Sequence, residues 1–373
     1  MGAARFPLGI SSHSLWTASQ SPVPRRTRSR AALAEDLLHL SRQRNDSAGL
    51  VLGHESSGRN LMFVGGFASA RSHLEKVLAL YDPISHRSLV PQVGFHPQVW
   101  SQAYLGIVLF CLGFPDQALA QSNAAVTEAR RLAQAPPLAA SLAIGSALHA
   151  QARDDAALKE RADELVAVTT ERDLPFWGVV AALYRGWVKI KSGDVAEGTS
   201  LLCDGLSAFR ASGAVLWLPY FLAFRAMACE IAGQIEEALT FLDDALQIME
   251  RTGGRWIEAD LNRLKGQLLL RQGRTQAAEE LYHRALAIAR EQQAKLWELR
   301  AAASLARLWR DQGLRAEARE LLAPIYGWFT EGFDTPDLKD AKALLDELVA
   351  PPGPTSGVGT GAATRGRSRK SLH

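Results

Sequence analysis

Nowhere in these 373 residues do apolar side chains run on for the 18 or so positions that a membrane-crossing helix needs, so no membrane partner is predicted. Cysteine is scarce, with only Cys111, Cys203 and Cys229. Three thiols in so long a chain make no disulfide framework. Each sits in an apolar helical stripe and reads as a small buried hydrophobe in a reducing cytoplasm. Alternating runs of β-branched and polar residues are missing too, which excludes a sheet of useful length. Acids are absent from residues 1–30 and again after residue 350, while those ends carry nine cations. The net charge of +3 therefore hides a body, residues 31–350, near −6. A body of that sign lacks the clustered positive charge that phosphate neutralisation requires, so no specific nucleic-acid binding is expected.

The same ends set the domain limits. Residues 1–30 place Arg25, Arg26, Arg28 and Arg30 after Pro22 and Pro24 and show no helical stripe, which predicts a disordered basic segment. They also lack the amphipathic helix of an organelle transit peptide. After Ala350 come Pro351, Pro352, Pro354, a glycine-rich run and a basic end at Arg365, Arg367, Arg369 and Lys370. Residues 351–373 are read as a second disordered tail.

Signals for catalysis are equally thin. Gly53-His54-Glu55-Ser56-Ser57-Gly58-Arg59-Asn60 has the glycine spacing of a phosphate loop but offers Arg-Asn where a lysine and a hydroxyl are required. Nine histidines are scattered, none at ligand spacing from another His or Cys on one helix face. No Gly-x-Ser-x-Gly elbow occurs, and no cysteine has a base beside it in sequence. The adjacent acids Asp243-Asp244 and Glu279-Glu280 diverge by about 100° on a helix and read as solvated faces. The sequence thus predicts a protein that is not an enzyme and holds neither cofactor nor metal.

What the chain does have is a grid. Gly193, Gly233, Gly273 and Gly313 lie 40 residues apart, and Gly113 falls on the same grid. Seven positions before each comes a small residue: Gly106, Gly186, Ala226, Gly266 and Ala306. Five after comes another: Ala118, Gly198, Ala238, Ala278 and Ala318. A fixed period of this size marks stacked repeats. Each unit reads as two helices joined at the glycine, which tolerates the left-handed backbone wanted past a helix end. The small residues then let the two helices approach closely. Leu239, Leu242, Leu246 and Met249 supply an apolar stripe at helical spacing, as do Leu281, Ala285, Ile288 and Ala289.

An earlier pair spans Ser47–Tyr81 around Gly65-Gly66, with Gly58 and Ala70 in its small slots. Residues 82–97 contain three prolines and are expected to form a longer loop. At the grid position between Gly113 and Gly193 stands Arg153, whose Arg-Asp-Asp still suits a turn. The reading is all-α: a right-handed solenoid over residues 31–350, with about seven helix pairs of 40-residue period. A helix over about 335–349, with alternating acids and lysines, suits a solvated cap.

The segment Leu-Tyr-His-Arg-Ala-Leu-Ala-Ile-Ala at 281–289, after Gly273 and Ala278, closely resembles the second helix of the tetratricopeptide repeat. The 40-residue period exceeds that repeat's usual 34, which allows each helix roughly a turn more, about 5 Å. Leu305–Gly313, Glu317-Ala318-Arg319, Leu321–Asp334 and Thr335–Lys339 together look like the C-terminal end of a bacterial group, as do Tyr81-Asp82-Pro83 and Phe114–Ala118. In that group an adenylate/guanylate cyclase or a DNA-binding domain is joined to a signalling ATPase and a terminal repeat array. The resemblance covers roughly residues 31–349, the array alone, so the group's catalysis carries over to no residue here. It implies a regulatory or sensory arm that partners a signalling ATPase or cyclase. The alternative it leaves is a piece of such a multidomain protein.

For a partner surface, the first helix of each pair should line the concave wall. Counting back from the turn glycines gives Arg263, Arg300, Arg307 and Arg310, with Arg271 nearby, and Trp187, Leu183, Met227 and Tyr220 in the middle repeats. A groove basic at one end and apolar in its middle would suit an acidic, amphipathic peptide segment. An enclosed apolar pocket around Trp187, Tyr220 and Met227 would instead suit a small-molecule sensor. Trp177, Trp217 and Trp297 lie on the grid with Trp256 one position off it, and are expected to pack each loop against the next repeat.

Overall fold

The computed structural model describes residues 30–349, so apart from Arg30, which opens the first helix, the expected disordered ends fall outside the described residues. Within them the chain forms seventeen helices and no strand. α1 (Arg30–Arg44) precedes the first pair, α2 (Ser47–Phe63) with α3 (Phe67–Leu80). The short α4 (Leu89–Val93) follows. Three pairs come next: α5 (Pro97–Leu112) with α6 (Pro115–Leu132), α7 (Ala135–Ala152) with α8 (Asp155–Glu171), and α9 (Pro175–Lys191) with α10 (Val195–Ala211). The last three are α11 (Leu218–Ile231) with α12 (Ile235–Thr252), α13 (Glu258–Arg271) with α14 (Thr275–Glu291), and α15 (Lys295–Asp311) with α16 (Arg315–Tyr326). α17 (Pro336–Val349) closes the array. The seven pairs and the C-terminal helix are those read from the sequence, and the architecture is an α-solenoid.

The grid positions do what their chemistry requires. Gly193 turns at φ 96° and Gly313 at φ 87°, and Arg153 adopts the same left-handed backbone at φ 59° where the grid lacks a glycine. In the small slots, a Cβ on Gly198 would fall 2.6 Å from the carbonyl oxygen of Gly186, so the two backbones of that pair are in contact. Ala118, Ala238, Ala278 and Ala318 fill the same slot elsewhere and are fully buried. Asp46, Asp154 and Asp194 cap α2, α8 and α10 by accepting the backbone N–H of Gly49, Ala157 and Glu197.

Local order differs from the sequence reading in several places. The 82–97 segment is not a plain loop: α4 lies within it, and His86 anchors it by accepting from the backbone N–H of Asp82 at 3.0 Å and meeting Ser47 Oγ at 3.0 Å. The scattered histidines also include one close pair, His54 and His73, whose Nδ1 atoms stand 3.1 Å apart across the first hairpin. Cys111 and Cys229 are buried, but Cys203 is exposed, because it falls on the solvent face of α10. The phosphate-loop lookalike lies inside α2, in keeping with Gly58 filling a small slot of the first pair, and a helical backbone there cannot wrap a phosphate.

The array also coils back on itself. The carbonyl oxygen of Phe63 accepts from the backbone N–H groups of Arg255 and Trp256, at 2.7 and 3.2 Å. A Cβ on Gly65 would meet Gln292, and one on Gly113 would meet Trp328 and Lys295. Glu331 accepts the backbone N–H groups of Asp116 and Gln117 at the start of α6, where a helix N-terminus favours negative charge. The turn of the third pair follows suit, with Arg153 donating to Asp340 at 2.7 Å. Turns of the first three pairs thus dock on the last three units, and the solenoid is closed end to end. The tryptophans sit inside that closure. Trp217 and Trp256 lie 4.9 Å apart, ring to ring, and pack with Phe63 from the first pair.

Candidate functional site

Closure turns the concave wall into a cavity of about 470 Å³. Its apolar side comes from α9, α11 and α13. Trp187 stacks on Phe224 at 5.0 Å and 9°, Tyr220 lies 4.7 Å from Phe224, and Met227, Ile257 and Leu264 continue the wall. These residues share a face because the first helix of each pair turns the same stripe inward. Tyr220 is fixed further by its hydroxyl, which donates to the carbonyl oxygen of Ala147 at 3.4 Å. Burial pushes that hydroxyl well above the usual tyrosine range, so it stays protonated.

The polar side joins the end of α7 to α13, α15 and α17. Arg300 donates through Nε to Asp337 Oδ1 at 3.0 Å and through Nη2 to Asp337 Oδ2 at 2.7 Å. Its Nη2 also donates to the carbonyl oxygen of Gln151, and its Nη1 stands 3.7 Å from Asp260. Burial alone would lower the Arg300 pKa, but Asp337 and Asp260 hold it above the ordinary arginine value. Arg263 donates to Asp260 at 2.6 Å. Burial would raise the Asp260 carboxyl, yet Arg263 and Arg300 bring it below the usual range. Lys191 stands 3.2 Å from Asp155, and Arg153 pairs with Asp340.

One cation is left over. Arg307, half-buried in this wall, makes no ion pair and no side-chain hydrogen bond among the described residues. Burial lowers its pKa; Asp340 offsets part of that, and Arg263, Arg310 and Arg153 push the same way as burial. A guanidinium so placed favours an anion entering the cavity.

Of the nine residues expected on or near the concave wall, the structure brings six to this cavity: Trp187, Tyr220, Met227, Arg263, Arg300 and Arg307. Leu183, Arg271 and Arg310 are not among its lining residues, and Leu183 is fully buried in the core instead. Arg271 turns to Glu230 at 3.2 Å, and Arg310 to Asp311 and Glu347 at 2.9 and 2.6 Å. The C-terminal end of the groove is therefore largely ion-paired rather than broadly basic: acids of α13 and α17 neutralise Arg263 and Arg300, and Arg307 alone stays unpaired among the described residues. Asp337, read as part of a solvated cap, is only 8% exposed because Arg300 draws it inward. Arg153, Gln151 and Asp340 were missed as site residues. Their only sequence signal is the grid, where Arg153 occupies a turn position.

Neither the His54–His73 pair nor the cavity assembles a metal centre: among the described residues no three His, Cys, Asp or Glu side chains converge to hold an ion. No described helix is long and apolar enough to cross a membrane.

Comparison with known proteins agrees with the repeat architecture. The tetratricopeptide repeat family matches residues 221–291, which are nearly all of the fifth and sixth pairs. An uncharacterized protein of Rhizobium meliloti (strain 1021) is 27% identical over 212 residues, covering 56% of this chain. The chain spans about a fifth of that curated relative's length. Among solved structures, Rap protein complexed with competence and sporulation factor is 12% identical at a TM-score of 0.49, covering 80% of this chain and 96% of that one. The apo form of the quorum sensor NprR from B. thuringiensis is 13% identical at a TM-score of 0.49, covering 80% and 82%.

Proposed function

We propose that this chain is a non-catalytic regulatory module: it receives a signal in its inner cavity and passes it to a protein partner, a signalling ATPase or cyclase. Supporting this is the closure itself. The cavity is walled by residues from the third pair and from the last units, as in Arg153 with Asp340 and Arg300 with Gln151. An occupant there contacts the third pair and the last units at once, so occupancy biases how those units sit together. A repeat array of this kind offers surface rather than a reaction centre.

The test is affinity capture from the native host with the full-length chain, run beside a Met227→Trp variant that fills the cavity. Recovery of an ATPase or cyclase by the wild type, altered by the variant, supports the reading. Equal recovery by both separates the partner surface from the cavity. Recovery of nothing by either rejects the interaction role.

A further inference from the structure

Arg307 stands apart from the other cations around it. Five cations line the cavity: Arg153, Lys191, Arg263, Arg300 and Arg307. The first four each hold an acid within the wall. The remaining lining acid, Glu230, is already engaged by Arg271 from outside and by the side chain of Gln267 at 2.7 Å. One positive charge is thus uncompensated in a half-buried site, in a cavity that Trp187, Phe224 and Met227 also line. A buried polar group without a partner is costly, and one guanidinium takes one anion.

Resting on the reading that the cavity is the sensing site, we propose that its ligand is a small organic acid: one anionic group, carried on an aromatic or branched apolar frame, with Arg307 as counter-ion. The volume of about 470 Å³ lies within the range of small-molecule pockets, roughly 300–1,000 Å³. The other four cations of the wall are each held by an acid, so a second anion on the ligand would find no free counter-ion, which selects for single charge. The neutral part stacks or packs on the Trp187–Phe224 face.

Two fluorescent probes that share one ring system isolate the charge: 8-anilinonaphthalene-1-sulfonate and the uncharged N-phenyl-1-naphthylamine. The full-length chain is titrated with each. The anion is expected to bind one saturable site about tenfold more tightly than the neutral probe, the size of one charge-assisted hydrogen bond. Arg307→Met should remove that advantage and leave the neutral probe within about twofold. Arg310→Met, on the same helix outside the cavity, should change neither affinity, and Met227→Trp should weaken both. Unchanged sulfonate binding in Arg307→Met overturns the assignment of Arg307. An equal loss for both probes also overturns it, since shape rather than charge is then read. If neither probe binds the wild type, the cavity is no recognition site and the reading beneath this inference fails with it.

Discussion

The carbonyl oxygen of Phe63 accepts the backbone N–H of Arg255 at 2.7 Å, tying the first helix pair to the loop that leads into the sixth. Side chains reinforce this contact. Trp256 sets its ring edge-on to Phe63 at 6.4 Å and to Trp217 at 4.9 Å. Gln292 Nε2 donates to the carbonyl oxygen of Arg255 at 2.8 Å, and Trp297 Nε1 to that of Trp256 at 3.2 Å. A repeat array whose units touch only their neighbours unfolds by local terms. This one carries contacts between distant units, which should sharpen its cooperativity.

Trp256→Ala therefore removes both a fully buried side chain and the seam between the two ends. A loss of about 3–5 kcal/mol is expected from the cavity it leaves. Urea unfolding measures that loss, and small-angle scattering on the same samples should show a larger radius of gyration. A variant as stable and as compact as the wild type would remove Trp256 from the closure.

The Arg300–Asp337 pair sits with side-chain exposures of 11% and 7%. Breaking one partner of such a pair leaves a buried charge, so Arg300→Met should cost about 3–5 kcal/mol. Removing both, as Arg300→Met with Asp337→Leu, should recover much of that loss, because no uncompensated charge remains. Asp260 keeps Arg263 in either case. Chemical denaturation of the two single variants and the double variant completes the cycle, and strictly additive losses would show that the two groups do not act as a pair.

Acid should weaken the first hairpin. Burial, then His73, Lys76 and Arg42, lowers His54 from 6.5 to about 4, and His73 is lowered by burial with Lys76 and Arg42. Their Nδ1–Nδ1 hydrogen bond needs a neutral ring to accept. Because the unfolded chain binds these protons more readily, the stability they support is complete above pH 6.5. It is lost as pH falls towards about 4 and levels off below it. Melting temperature measured across that window should fall, and His54→Gln should flatten the slope. An equal slope in the variant would assign the acid sensitivity to other groups.

Much of this architecture is legible in local pattern. Gly186 and Gly198 announce a close helix approach because no side chain fits where their backbones meet, and the spacing of twelve between them fixes one hairpin. Arg153 was readable as a turn despite its side chain, since its position on the grid demanded the left-handed backbone it adopts. Six of the concave residues were legible for the same reason, as a stripe repeated from pair to pair. Counting back from a glycine gives a helix face but not the reach of a long side chain, so the turn of Arg310 to Glu347 and of Arg271 to Glu230 had no local signal.

By itself, then, the sequence determined what lies within one repeat: helical stripes, a turn every 40 residues, small residues at the crossing, and caps such as Asp194. These depend on neighbours three to twelve positions away. Only the tertiary structure decided that Arg153 reaches Asp340 across 187 residues, that Asp337 is drawn inward, and that the groove ends as a cavity with Arg307 unpaired. Those contacts follow from the rotation each pair adds to the last, summed over seven pairs. A small angle per repeat leaves no local mark on the sequence, yet its sum decides which distant charges meet.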